Sequence, residues 1–392
     1  MLRPLEGTKL INDFTKKGEC KLSFFVSIFT AMKNKRVVIR SLILLVAFIL
    51  VYLFRHQEGW ADLYAQRIYP YISFVLTSIS NIFPFSIGEI FITISVLTLI
   101  IYPIVAIYKR KGWKMTLFNI FEKLSWIYIW FYAAWGINYS QKGILDRLDI
   151  EDSQVTREQF YTFAENYVDS LNASYGNIST IDFDTLDWRS DSMSELLMKN
   201  IVEGYKEISN PLGINRPIVD RPKVKMMTYY PINSMVGVSG SMAPFFCEFT
   251  VNPDVLPFDY PFTYTHEMAH LLGITSEAEA NFYAYVVCTN SKIPLVRFSG
   301  YYSVLSYVLI NARRTLDGEH YKLLISNIDP RIVELYNYES TYWAAKRYTP
   351  VAKVQNKAYD SYLKANNIND GVANYSGVVK LMIALENYQT RE

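Results

Sequence analysis

The chain has 392 residues, 51% of them hydrophobic and only 19% charged, which is long enough for more than one folded unit and too apolar for soluble domain throughout. The net charge of +2 is unevenly spread: residues 1–40 hold nine Lys/Arg against three Asp/Glu, and Lys109, Arg110, Lys111 and Lys114 form a second basic group. What remains is acidic, which excludes a nucleic-acid-binding surface there, and Cys20, Cys247 and Cys288 are too few for a disulfide framework.

Residues 1–36 read as a cytoplasmic N-terminal segment. Met32 opens MKNKRVVIR, a natural beginning for a membrane anchor, so residues 1–31 read as an extension ahead of it. Val37 to Phe54 is apolar apart from Arg40, and Lys33, Lys35 and Arg36 crowd its start, as expected of a span whose N-terminal end is cytoplasmic. No small-residue cleavage site follows the apolar run, which favours an uncleaved anchor over a signal peptide. Tyr69 to Phe85 is apolar but short and bounded by prolines, so it is expected to lie in the interface or re-enter rather than cross. A second span covers about residues 90–108 and ends on Lys109-Arg110-Lys111. A third covers about 117–138, with Trp126, Trp130 and Trp135 along it. Three spans in residues 37–139 put everything from about residue 140 on the extracytoplasmic side.

Residues 140–392 are ample for a domain with its own core. Asp149–Leu171 and Ser192–Ile208 have helical patterns. Val224–Tyr230 and Phe245–Asn252 read as strands, separated by a loop with Pro231, Gly237 and Gly240, and helical periodicity dominates afterwards. The expected class is therefore α+β and mostly helical, behind N-terminal transmembrane helices. Cys247 and Cys288 either pair in an oxidising compartment or stay as buried thiols.

Residues 266–270 read His-Glu-Met-Ala-His, which uses two of the four histidines in the chain. Residues four apart share a helix face, so His266 and His270 can hold one zinc ion, while Glu267 is near enough to act as general base toward an activated water. The third ligand is sought in Ser276-Glu277-Ala278-Glu279-Ala280-Asn281, the opening of a second helix running to about Cys288. Glu277 and Glu279 lie about 200° apart on a helix, so only one can face the metal. Glu277 shares its face with Ala280, Asn281, Ala284 and Cys288, small residues that permit a close helix approach. Ser276 and Glu279 form a Ser-x-x-Glu capping box, a structural task for Glu279. Glu277 is the expected ligand, with Glu279 as the alternative, and Asn281 is placed to hydrogen-bond a ligating histidine.

Glu-x-x-Ala-Asn after His-Glu-x-x-His resembles the glutamate-zincin metallopeptidases, in which the first glutamate of the second motif is the third zinc ligand; that position is Glu277. Gly237-Val-Ser-Gly240, Pro244–Asn252, Pro261-Phe-Thr and Tyr359–Ala384 also resemble an uncharacterised bacterial family of multi-span membrane proteins. The resemblance implies a zincin-like catalytic domain of a bacterial inner-membrane peptidase acting on proteins or peptides. Two features depart from better-known zincins. The gap from His270 to Glu277 is short, so Gly273 must turn the chain sharply. No oxyanion-stabilising residue stands out, with Tyr301, Tyr302 and His320 as candidates. The strand Phe245–Asn252 is a candidate edge for pairing with an extended substrate.

The alternative is a non-catalytic receptor or assembly factor whose metal site is structural. An intramembrane protease is disfavoured because Asp254, Asp259, Glu277 and Glu279 make the region around His266 too polar for a spanning helix.

Overall fold

The computed structural model describes residues 35–150, 155–183, 185–368 and 377–389. The readings of residues 1–31, of Cys20 and of nearly all the N-terminal segment lie outside the described residues. The structure is mostly helical with one small three-stranded sheet.

Helix α1 (Lys35–His56) is followed by a continuous helical run made of α2 (Trp60–Leu63), a π-helical turn (Tyr64–Ile68) and α3 (Tyr69–Ser80). Next come α4 (Ile87–Tyr108) and α5 (Trp113–Ala134). Two helices among the described residues are long and apolar enough to cross a membrane, Val37–His56 and Ile87–Tyr108. Neither is a buried core helix: Leu42, Ile43, Val46, Ile94, Ile100 and Ile104 stand exposed along them. The expected third span corresponds to α5, a less apolar helix that carries Lys114, Glu122 and Lys123 and exposes Leu117, Phe121, Leu124 and Trp126. Arg40 of α1 donates to Glu122 of α5, and Asn119 of α5 donates to the Tyr102 hydroxyl of α4 at 2.7 Å. The basic starts of α1 and α5 and the basic end of α4 therefore share one end of the bundle.

Past a 3-10 turn (Gly136–Ser140), the chain forms α6 (Ile144–Arg147), α7 (Arg157–Gly176) and α8 (Asp191–Ile208). Thr156 and Gln159 cap α7 reciprocally, satisfying two of its orphan donors. The sheet follows: β1 (Lys225–Met226), α9 (Tyr230–Val236), β2 (Gly240–Ala243) and β3 (Glu248–Val251). Its order is β1-β3-β2, with β1 parallel and β2 antiparallel to β3. Two expectations are corrected here. The strand in Phe245–Asn252 is central, with both edges paired, so it is no free edge for a substrate; the edge strands are β1 and β2. Strand β2 lies where a loop was expected, because Gly-Ser-Met-Ala has no alternation and becomes a strand only through its pairing with β3.

The remaining helices are α10 (Tyr260–Leu271), α11 (Glu277–Thr289), α12 (Pro294–Thr315), α13 (Gly318–Ser326), α14 (Pro330–Lys346), α15 (Thr349–Ala365) and α16 (Val378–Gln389). Helix α11 packs between α10 and α12, and Ala280, Ala284 and Cys288 on its small-residue face are fully buried. The hydrophobic core runs across residue 140: Tyr64, Tyr69, Leu76, Tyr132 and Trp135 belong to the same cluster as Phe249, Met268 and Tyr283.

Candidate metal centre

Helix α10 starts with Pro261 in its first turn, where the missing N–H costs nothing, and its Thr265 hydroxyl donates to the Pro261 carbonyl at 2.7 Å. His266 and His270 sit one turn apart and their Nε2 atoms approach to 3.1 Å. Gly273, at φ +100°, reverses the chain immediately afterwards, as the short gap to Glu277 requires. A side chain there would also meet the Tyr69 ring at 3.1 Å. Ser276 then caps α11, and Glu277 Oε2 arrives 3.1 Å from His266 Nε2 and 3.5 Å from His270 Nε2.

This triangle of two nitrogens and one oxygen, with sides of 3.1, 3.1 and 3.5 Å, is slightly tighter than that of a tetrahedral zinc site, in which bonds of about 2.0–2.2 Å put ligands about 3.3–3.6 Å apart. His270 Nδ1 donates to the Ile274 carbonyl at 2.7 Å, which fixes the tautomer and leaves the Nε2 lone pair for a metal. Glu277 Oε2 is buried and has no hydrogen-bond donor. Burial opposes a charge on His270, yet Glu277 and Glu267 outweigh it and lift its pKa to about 9. Burial also opposes the Glu277 carboxylate, and the two histidines more than offset it, holding its pKa well below the usual range. Each group stabilises the opposite charge at one point, the electrostatics of a cation seat.

Glu267 is buried beside these ligands and its Oε2 has no partner. Burial is the largest influence on this carboxyl and raises its pKa, with the histidines pulling it back and Glu277 adding to the rise. Gly240 at the start of β2 lies against it: a Cβ there would fall 2.4 Å from Glu267 Oε1, so glycine is what lets the edge strand approach the carboxylate.

Glu279, the alternative ligand, faces the other way and pairs with buried Arg147 at 2.8 Å. Only half the expected capping box is present. Ser276 Oγ accepts from the Glu279 N–H, but the Glu279 carboxylate is occupied by Arg147 and the Ile144 N–H. Asn281 is buried on the cleft wall next to Tyr307 and hydrogen-bonds neither histidine; its Nδ2 has no partner. Cys247 and Cys288 are buried free thiols, and Cys288 Sγ donates to Thr265 Oγ1 at 3.3 Å.

Side chains distant in sequence satisfy the carbonyls that end α10. Trp135 Nε1 donates to His270 O at 3.1 Å, Tyr69 Oη to Leu271 O at 2.7 Å, Asn215 Nδ2 to Leu272 O at 2.9 Å and Gln141 Nε2 to Gly273 O at 2.6 Å. Four consecutive carbonyls are held in this way, which fixes the register of the histidine helix.

The centre opens into a cleft of about 1170 Å³ walled by β2, α9, α12, α14 and α15. Of the candidates for stabilising an oxyanion, Tyr302 lines this cleft but donates to Glu339 at 2.7 Å, Tyr301 is outside it, and His320 is bound to Asp317 at the start of α13. Tyr359 of α15 is the residue that the sequence reading missed. Its hydroxyl donates to Glu277 Oε1 at 2.5 Å, from 82 positions away. No spacing links it to the motif; its only signal was the resemblance over Tyr359–Ala384. Asp259 and Glu339 also face the cleft, and burial raises both carboxyls, with Glu339 adding to the rise at Asp259.

The model of one family, described as a protein of unknown function (DUF3810), matches residues 64–383. No curated protein and no solved structure matches the chain.

Proposed function

The chain belongs to that family of unknown function, and we propose that it is a membrane-anchored zinc metallopeptidase with a zincin-like catalytic centre facing the extracytoplasmic side. The observation that carries this reading is the convergence of His266, His270 and Glu277 on one point with Glu267 beside them, in the wall of a cleft large enough for a peptide. His266 Nε2, His270 Nε2 and Glu277 Oε2 would hold the metal, and three protein donors leave a coordination position free. Bound zinc supplies a Lewis-acidic centre that acidifies water and polarises a carbonyl.

The other parts are the chain's own. Glu267 takes a proton from the attacking water at Oε2, the atom without a partner, and returns it to the departing amine. A carboxyl whose pKa is raised by burial suits both halves of that transfer. Tyr359 lines the same cleft and donates its hydroxyl proton to Glu277 Oε1, which holds Glu277 with its Oε2 toward the histidines. The edge strand β2 runs beside Glu267 and offers main-chain groups to an extended peptide. The exposed apolar helices α1 and α4, with basic residues gathered at one end, support an inner-membrane anchor with that end in the cytoplasm.

The test is zinc analysis of the purified full chain, with cleavage of casein or a peptide library by wild type and Glu267→Gln. Stoichiometric zinc in both, with cleavage only by wild type, is expected. Undiminished cleavage by Glu267→Gln would sink the mechanism.

A further inference from the structure

The cleft reaches the apolar helix α4. Ser86, Glu89 and Ile92 form part of its wall, and Ile92 is 46% exposed there although it lies inside the membrane-crossing run Ile87–Tyr108. Ile92 is five residues into that helix, about 8 Å along its axis. Sheet and helix are joined firmly at this level. Glu248 Oε1 accepts from Ser86 Oγ at 2.7 Å and from Gly88 N at 2.6 Å, and a Cβ on Gly88 would lie 2.7 Å from that of Ala243. Glu89 Oε2 accepts from Thr228 N at 2.9 Å, and Thr93 Oγ1 meets the Tyr229 hydroxyl at 2.7 Å, one turn further down. Helix α9, which follows Tyr229 and walls the same cleft, exposes Tyr230, Ile232 and Met235, and Val351 and Val354 of neighbouring α15 are exposed too. Apolar side chains at the level of a span's outer turn match the bilayer interface.

We infer that the substrate is the extended juxtamembrane stretch of a polypeptide itself tethered to the membrane by a span, entering along the bilayer surface at the level of the outer turn of α4. A chain lying on β2 has the outer turn of α4 beneath it, so the bond presented to Glu267 is close to the lipid. Tethering confines such a substrate to the layer in which the cleft opens and raises its effective concentration. A soluble protein would have to push a loop down to the headgroups first. The inference rests on the peptidase reading for the cut, but not for the seating of the chain.

The experiment uses the zinc-loaded full chain in lipid vesicles. One peptide sequence that it cleaves is supplied free, or joined to a single transmembrane helix through spacers of increasing length. Cleavage of the short-spacer form at least about tenfold faster than the free peptide, falling as the spacer lengthens, is expected. Equal rates for free and tethered forms, both lost in Glu267→Gln, overturn the inference and leave the peptidase standing. A photo-crosslinking residue at Ile92 in Glu267→Gln reads the seating without turnover. Preferential capture of the short-spacer form upholds the inference even if nothing is cut, which would count against the peptidase alone; capture indifferent to the tether overturns it.

Discussion

At the scale of single residues, the two carboxylates opening α11 have opposite tasks although one residue separates them. Glu277 meets the histidines and Glu279 meets Arg147. Glu277→Gln is expected to lose bound zinc, read by metal analysis of the purified protein. Glu279→Gln should keep its zinc but melt at a lower temperature, since it strips a partner from a guanidinium that is only 8% exposed. A second expectation concerns Asp259 and Glu339, whose carboxyls burial pushes upward. A raised carboxyl pKa means that the folded chain binds the proton more tightly than the unfolded one. The stability tied to it is complete below the unfolded value, about 4, and is lost as pH rises through the folded value. Glu339→Gln should therefore raise the melting temperature at about pH 8 and leave it little changed at about pH 4. A fall in melting temperature at the higher pH would refute that assignment.

At the scale of elements, a buried ion pair within the sheet also reaches the ends of α3 and α4. Lys225 on β1 and Glu248 on β3 are each 1% exposed and paired with each other. Lys225 Nζ also donates to Ser80 O at the end of α3, at 2.7 Å, while Glu248 accepts from Ser86 and Gly88 at the start of α4. Removing one partner leaves an uncompensated buried charge, so Lys225→Met should cost roughly 3–5 kcal/mol. The double variant Lys225→Met/Glu248→Leu should recover part of the loss, because the remaining charge goes with its partner. Chemical denaturation in detergent checks both. Equal destabilisation in the single and double variants would mean that packing, rather than charge, holds this junction.

At the scale of the whole molecule, the candidate metal centre and the N-terminal helices share one core. Tyr69, Trp135, Gln141 and Asn215 satisfy the end of the histidine helix, and the first two belong to the region before residue 140. A fragment of residues 140–392 is therefore expected to lose the compact state and its zinc affinity, because deletion strips the Leu271 carbonyl of its Tyr69 and Ser73 donors and uncovers the apolar cluster. Limited proteolysis and zinc binding of the fragment, set against the full chain, decide this; a protease-resistant fragment that binds zinc would refute it.

Much of the centre was legible locally. The four-residue spacing of His266 and His270, Glu267 beside them, the small-residue face of α11 and the turn at Gly273 all lie within about one helix–turn–helix, where 3.6 residues per turn dictates which side chains share a face. The two apolar helices were legible for the same reason, since length and unbroken hydropathy are properties of a continuous segment. What was hidden depends on partners far along the chain. β2 is a strand only because β3 lies beside it, Glu279 turns away from the histidines because Arg147 waits 132 positions earlier, and Tyr359 reaches Glu277 from a separate helix. The sequence by itself therefore determined that His266, His270 and Glu277 come together with Glu267 beside them, through local helical periodicity. Tertiary structure alone decided the centre's cleft, its supporting hydrogen bonds and its closeness to α4, because each rests on contacts that exist only once distant segments share a core.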